Sequence, residues 1–265
     1  MEVIIKSDYT EMTMEAVKIV HSALKEKPNL VLGLPTGNTP LGLYNELARL
    51  HREEALDFSQ VVTFNLDEYV GLPTSHPQCY HYFMQQHLFS KVNIPPSNRY
   101  LPQTTAKGHE AFCAWYEQEI QRHGGIDIQI LGIGTDGHIA FNEPSSSLGS
   151  RTRIKSLQLS TRQANAQYFG GDINAVPKLA ITMGVGTIME AKHCLLLANG
   201  ETKADAVAQC VEGPITSELP ASALQLHPKT TLILDEAAAS RLKRADYYQW
   251  VYQNKLEIEA MEKNG

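Results

Sequence analysis

The chain has 265 residues, 29 of them acidic and 23 basic, for a formal net charge of -6. The charges are interleaved with no run of lysine or arginine, which argues against nucleic acid and anionic membrane as partners. Four cysteines (Cys79, Cys113, Cys194, Cys210) stand far apart with neither C-x-x-C nor metal-ligand spacing, so a reduced compartment is expected.

Short apolar runs alternate with helix-length patterns. EVII reads as a strand and TEMTMEAVKIVHSALKEK as an amphipathic helix, its apolar residues spaced at three and four. NLVLGL is the next strand, followed by the turn PTGN and the helix TPLGLYNELARLHREE. VVTFNL is a strand that ends on Asp67 and Glu68. The helix HEAFCAWYEQEIQRHGG leads to the strand DIQILGIG and a polar, glycine-rich loop. From Pro144 to Gly171 the pattern is irregular, with PSSSLGS, a basic cluster at Arg151, Arg153 and Lys155, and a polar stretch ending in FGG; it reads either as a mobile flap or as a surface excursion. KLAITMG, HCLLLANG and TTLIL complete the strands, TKADAVAQCVEG is a further helix, and the tail from Arg241 is helical.

Strands without a period-two pattern are those buried on both faces, and strand–helix alternation implies parallel pairing with right-handed crossovers. The expected fold is therefore a single α/β domain over residues 1–265. Its Rossmann-like, mostly parallel sheet carries helices on both faces, with a lid-like segment at about residues 145–175 and a helical tail at about 241–265. The opening residues carry acids where a signal peptide needs a basic stretch, and no run approaches the roughly 18 apolar residues of a membrane span, so a cytoplasmic protein is expected.

Three stretches carry chemistry. LGIGTDGHIAFNEP spaces Gly132, Gly134 and Gly137 as G-x-G-x-x-G, but the helix and the ribose-binding acid of a dinucleotide site do not follow it. What remains is a polar loop at the carboxyl end of a strand, where Asp136, His138 and Glu143 can converge for proton transfer; the plain alternative is a turn stabilised by Asp136 with His138 bonded to a carbonyl. In GLPTGNTPLGLY, Thr36, Gly37, Asn38 and Thr39 precede a helix, where free N–H groups and the positive end of the dipole suit an anion, although a simple helix start reads the same way. In FNLDEYVGLP, Asp67 and Glu68 sit at the end of a strand where burial can raise a carboxyl pKa toward a useful base, and alternation lets only one of them face a site. Lys203 falls at a third helix start, a poor place for a cation unless an anion is bound there.

Together these stretches resemble the glucosamine-6-phosphate deaminase family, and SRTRIKSL, TRQANAQYF, ITMGVGTIM and LQLHP extend the likeness over most of the chain. The resemblance implies conversion of glucosamine 6-phosphate and water to fructose 6-phosphate and ammonia, with no cofactor and no metal. It implies that Asp67 moves a proton between C2 and C1, that His138 opens the sugar ring, and that Asp136 and Glu143 orient and tune His138. It assigns the phosphate to Thr36, Gly37, Asn38, Thr39 and Lys203. Some members are hexamers activated by N-acetylglucosamine 6-phosphate, which makes Arg153 and Lys155 candidates for an activator site and a homo-oligomer, up to a hexamer, an expectation. Gln167 stands where the family commonly has a phosphate-gripping arginine, leaving more of that load to Arg162 or Lys203. The rival readings are another sugar-phosphate enzyme of the same fold, such as a phosphogluconolactonase, and a non-catalytic sugar-phosphate sensor. A sensor is expected to carry a DNA-binding segment, and the chain opens on a strand instead.

Overall fold

The computed structural model describes residues 1–264, with side chains described through residue 262. In chain order the elements are β1 (Glu2–Lys6), α1 (Tyr9–Glu26), β2 (Val31–Leu34), α2 (Leu41–Glu54), β3 (Val62–Asn65), β4 (Asp67–Val70), α3 (Tyr80–Met84), β5 (Arg99–Tyr100), α4 (His109–Arg122), β6 (Ile128–Leu131), β7 (Arg153–Ser156), α5 (Leu159–Ala166), β8 (Leu179–Thr182), α6 (Val185–Met189), β9 (Cys194–Ala198), α7 (Ala204–Glu212), β10 (Thr230–Asp235), α8 (Glu236–Ala239) and α9 (Ala245–Asn264). A single π-helical turn, Gln85–Phe89, continues α3.

Seven strands form a wholly parallel sheet in the order β1-β10-β9-β6-β2-β3-β5. Its strands are apolar on both faces because both are covered. In β9, Leu196 packs with α4, α6, α7 and α8 residues such as Tyr116, Ile188, Val207 and Ala238. Its neighbours Leu195 and Leu197 pack on the other side with α1, α2 and α9 residues such as Met12, Val20, Leu47 and Tyr252. This is the expected fold, and the missing period-two pattern has its cause in the double burial. Asp8 caps α1 by accepting the Glu11 N–H, and Ala55, in the left-handed region, closes α2.

Two features differ from the sequence reading. KLAITMG does not join the parallel sheet; β8 lies in a separate antiparallel sheet of order β4-β8-β7. The flap region is also less irregular than its composition suggests, since β7 and α5 both lie within it. Serine and glycine around residues 145–150 hide a strand whose order comes from cross-strand pairing with β8, a long-range contact that local patterning does not report. The tail from Ala245 is helical and packs on β1 of its own chain, where Tyr252 Oη donates to Glu15 at 2.9 Å and Lys255 meets Glu2 at 2.7 Å.

Candidate active site

Chain order reverses at β2, whose two neighbours are β3 on one side and β6 on the other. Loops that leave the carboxyl ends of parallel strands on either side of such a reversal enclose a crevice, the usual place for a ligand in an open α/β sheet. Residues 35–40 leave β2, Leu66 and Asp67 leave β3, residues 132–138 leave β6, and residues 199–203 leave β9. The Thr39 hydroxyl donates to Asn199 Oδ1 at 3.2 Å and so ties the first of these loops to the last.

The loop after β6 is folded around its histidine. Asp136 Oδ1 lies 2.6 Å from His138 Nδ1 and accepts the His138 backbone N–H at 3.2 Å. The imidazole packs so closely on Gly134 that a Cβ there would overlap the ring, and Gly137 turns the chain at φ +80. Burial would raise the Asp136 carboxyl, but the contact with His138 outweighs it and holds the group at about 2. With Nδ1 occupied, the other ring nitrogen is the one left to face the crevice.

Asp67 is buried, with 8% of its surface exposed, and opens β4 rather than closing β3. Its register partner is Thr182, whose other partner is Arg153, so the three side chains form one row on one face of the small sheet. Thr182 Oγ1 accepts the Phe141 N–H at 3.1 Å, and Arg153 donates to Asn142 Oδ1 at 2.9 Å. Asn142 Nδ2 in turn donates to the Met183 carbonyl at 2.8 Å. The segment just after His138 is thereby bolted to the face that carries Asp67. Among the described residues no donor reaches the Asp67 carboxyl, and burial, then the charge of Glu68, pushes it up to about 8.

Glu68 points the other way. It is fully buried, and its carboxylate accepts the N–H groups of Tyr69, Tyr80 and His81 and the Cys79 thiol, with His81 Nδ1 at 2.8 Å. Asp67, on the opposite face of β4, takes part in none of these bonds. Glu68, Cys79 and His81 form the one cluster of metal-ligating types among the described residues, but the carboxylate is already saturated by donors.

The turn Thr36–Thr39 leaves its backbone N–H groups without acceptors among the described residues and brings Gly37 to φ +95 ahead of α2. Half-buried Lys203 lies at the start of α7 near Asp136, with no carboxylate in ion-pair range among the described residues; burial lowers its pKa and Asp136 opposes that. Glu143 is placed elsewhere: its two oxygens accept the Gln158 N–H at 2.9 and 3.1 Å, at the start of α5, and it does not touch His138. Arg153 and Lys155 share one face of β7 by alternation. Arg162 donates to the Ile173 carbonyl and Gln167 to the Ala164 carbonyl, both within the 159–173 segment.

Sequence reasoning missed Thr182 and the structural use of Asn142 and Arg153. Thr182 carried no local signal, because its significance lies in contacts some forty residues distant.

Residues 8–233 match the family described as glucosamine-6-phosphate isomerases/6-phosphogluconolactonase. The chain belongs to this family. Within the glucosamine-6-phosphate isomerase family it is 50% identical to glucosamine-6-phosphate deaminase 2 of Bacillus subtilis (strain 168) over 248 residues, 93% of this chain and 100% of that one. It is 48% identical to the glucosamine-6-phosphate deaminase of Thermoanaerobacter pseudethanolicus (strain ATCC 33223 / 39E), covering 93% of this chain and 97% of that one. A solved monomeric glucosamine-6-phosphate deaminase superposes with a TM-score of 0.88 at 46% identity, over 91% of this chain and 100% of its own. The 6-phosphogluconolactonase of Trypanosoma brucei shares the fold at a TM-score of 0.73 and 18% identity, over 91% of this chain and 98% of that one.

Proposed function

We propose that the protein is a glucosamine-6-phosphate deaminase, converting glucosamine 6-phosphate and water to fructose 6-phosphate and ammonia. The observation that carries this is the Asp67 carboxyl, buried, free of donors and raised to about 8, on the sheet face to which the His138 loop is fastened. A base with a pKa near the working pH, set beside a histidine, suits proton transfer next to a carbonyl.

His138, held by Asp136, moves a proton between the ring oxygen and the C1 hydroxyl and so opens the sugar to its aldehyde. Asp67 removes the C2 proton, leaving an enolamine, and returns it to C1 to give an imine at C2. Water adds to that imine and ammonia departs with the last C–N bond. Each acid–base group contributes about 10² to 10⁴-fold. The free N–H groups of residues 36–39 and the Lys203 ammonium grip the phosphate, whose binding away from the reacting carbons supplies positioning. Glu143 acts one step removed, by fixing the start of α5 over the crevice.

The cytoplasmic reading is supported by four buried, unbridged thiols. Activation by N-acetylglucosamine 6-phosphate at Arg153 and Lys155, and assembly into an oligomer, form the further part of the reading. Two side chains on one face of β7 support it, and the similar monomeric deaminase weighs against the assembly.

A coupled assay for fructose 6-phosphate and ammonia, run with and without that activator, tests the reaction and its regulation together. Asp67→Asn is expected to bind substrate and lose exchange of the C2 proton with solvent. Exchange at the wild-type rate would refute the assignment, and a rate curve unchanged by saturating activator would remove the regulatory part.

A further inference from the structure

We propose that Glu68, on the face of β4 opposite Asp67, is a positioning residue that fixes the backbone carrying Asp67 and sets a carboxylate beside it. The proposal rests on Asp67 being the base.

The geometry is specific. The Asp67 carboxyl has no hydrogen-bond donor among the described residues, so its direction depends on the strand beneath it. That strand is short, four residues long, and among the described residues pairs only with β8. On its far side Glu68 converts this weak support into a rigid one: Oε1 accepts the Tyr69 N–H at 2.8 Å and the Tyr80 N–H at 3.1 Å, while Oε2 accepts the His81 N–H at 2.9 Å and the Cys79 thiol at 3.0 Å. The carboxylate thus joins β4 to the first turn of α3, whose leading N–H groups otherwise lack partners. His81 Nδ1 at 2.8 Å completes the ring of donors.

Both oxygens of this fully buried side chain are thus enclosed by bonded groups. Its charge lies one residue from Asp67 and disfavours a second charge there, which makes Asp67 the stronger base. The other groups facing Asp67 do not supply this. Tyr69 on β4, Tyr80 on α3 and Tyr116 on α4 are all pushed up by burial and remain neutral. Thr182 on β8 carries no charge. Arg153 on β7, in the same row, directs its guanidinium to Asn142 and the Arg151 carbonyl. On the loops after β6 and β9, Asp136 and His138 are bonded to each other and Lys203 lies near Asp136.

The test uses full-length Glu68→Gln and Glu68→Asp, with Asp67→Asn as reference. Glu68→Gln keeps the volume and removes the charge, so the acid limb of kcat/KM should move down by about one pH unit. Its kcat should fall by about tenfold while KM stays within about twofold of wild type, because a weaker base slows the step without touching phosphate binding. Glu68→Asp keeps the charge and withdraws it from α3, so its acid limb should stay in place while kcat falls, and this variant decides the matter should Glu68→Gln not fold. An unshifted acid limb in folded Glu68→Gln, or a KM effect as large as the kcat effect in either variant, overturns the proposal. C2-proton exchange persisting in Asp67→Asn would bring down the base assignment and this inference together, whereas exchange lost there with normal kinetics in both Glu68 variants would bring down this inference alone.

Discussion

Asp67 is held in its site at a cost to the fold. An ordinary aspartate titrates near 3.8, and this one near 8, so the native state retains a proton that the unfolded chain releases between those values. Stability from this group is full below about pH 4 and declines as pH rises toward 8, by an amount of order a few kcal/mol. Asp67→Asn, which cannot ionise, should therefore unfold less readily than wild type at pH 8 and about equally at pH 4. Denaturant midpoints at the two pH values measure this, and a constant difference between the proteins would contradict it. With Asp67 as the proposed base, the acid limb of wild-type activity is expected near pH 8, since only the deprotonated carboxyl could accept the C2 proton. Asp136, with its pKa at about 2 beside His138, stays ionised throughout and serves as the fixed partner of the imidazole.

Among the elements, α5 and its neighbours are held by a small set of named contacts. Glu143 holds Gln158, Asn165 Nδ2 donates to Tyr69 Oη at 2.9 Å, and Phe169 packs against Tyr69 and His76. A hydrogen bond to a charged group is worth about 1.5–3 kcal/mol. Glu143→Ala should accordingly speed proteolysis within residues 157–175 and lower kcat/KM by roughly tenfold or more, leaving the Asp136–His138 pair intact; unchanged cleavage would argue against a lid held by Glu143. At this scale the legibility of the sequence divides by contact distance. Six of the seven parallel strands, all but the two-residue β5, the helices α1, α2, α4 and α7, and the loop from Gly132 to His138 were readable because glycine, capping and apolar spacing act within a few residues. The antiparallel sheet was not, since β4, β7 and β8 are all four-residue segments defined by non-local pairing, β4 with β8 across more than a hundred residues. The pair Asp67 and Glu68 was legible as one acid inward and one outward. Which acid took which role was decided by the donors gathered at α3.

For the molecule as a whole, the parallel sheet brings four loops to one end, two of which carry the groups proposed to hold the phosphate. A ligand that binds only the folded state stabilises it by about 2.7 kcal/mol at a hundredfold excess over its Kd. Fructose 6-phosphate should raise the melting temperature of wild type, and Lys203→Ala should lose most of that increase while melting normally without ligand. An equal increase in the variant would remove Lys203 from the phosphate site. At the opposite edge of the sheet α9 secures β1 through Tyr252, which is buried against Glu15 and lies under the Lys6 ammonium.

The departure of β4 from the main sheet, one residue after β3 ends, means that under the proposed mechanism the grip on a phosphorylated sugar and the group that works on its carbons would be borne by different sheets. Inheritance can act on them separately. A lineage can keep its hold on a family of metabolites while exchanging the reaction performed on them, and the small sheet is the piece whose replacement would record such a change.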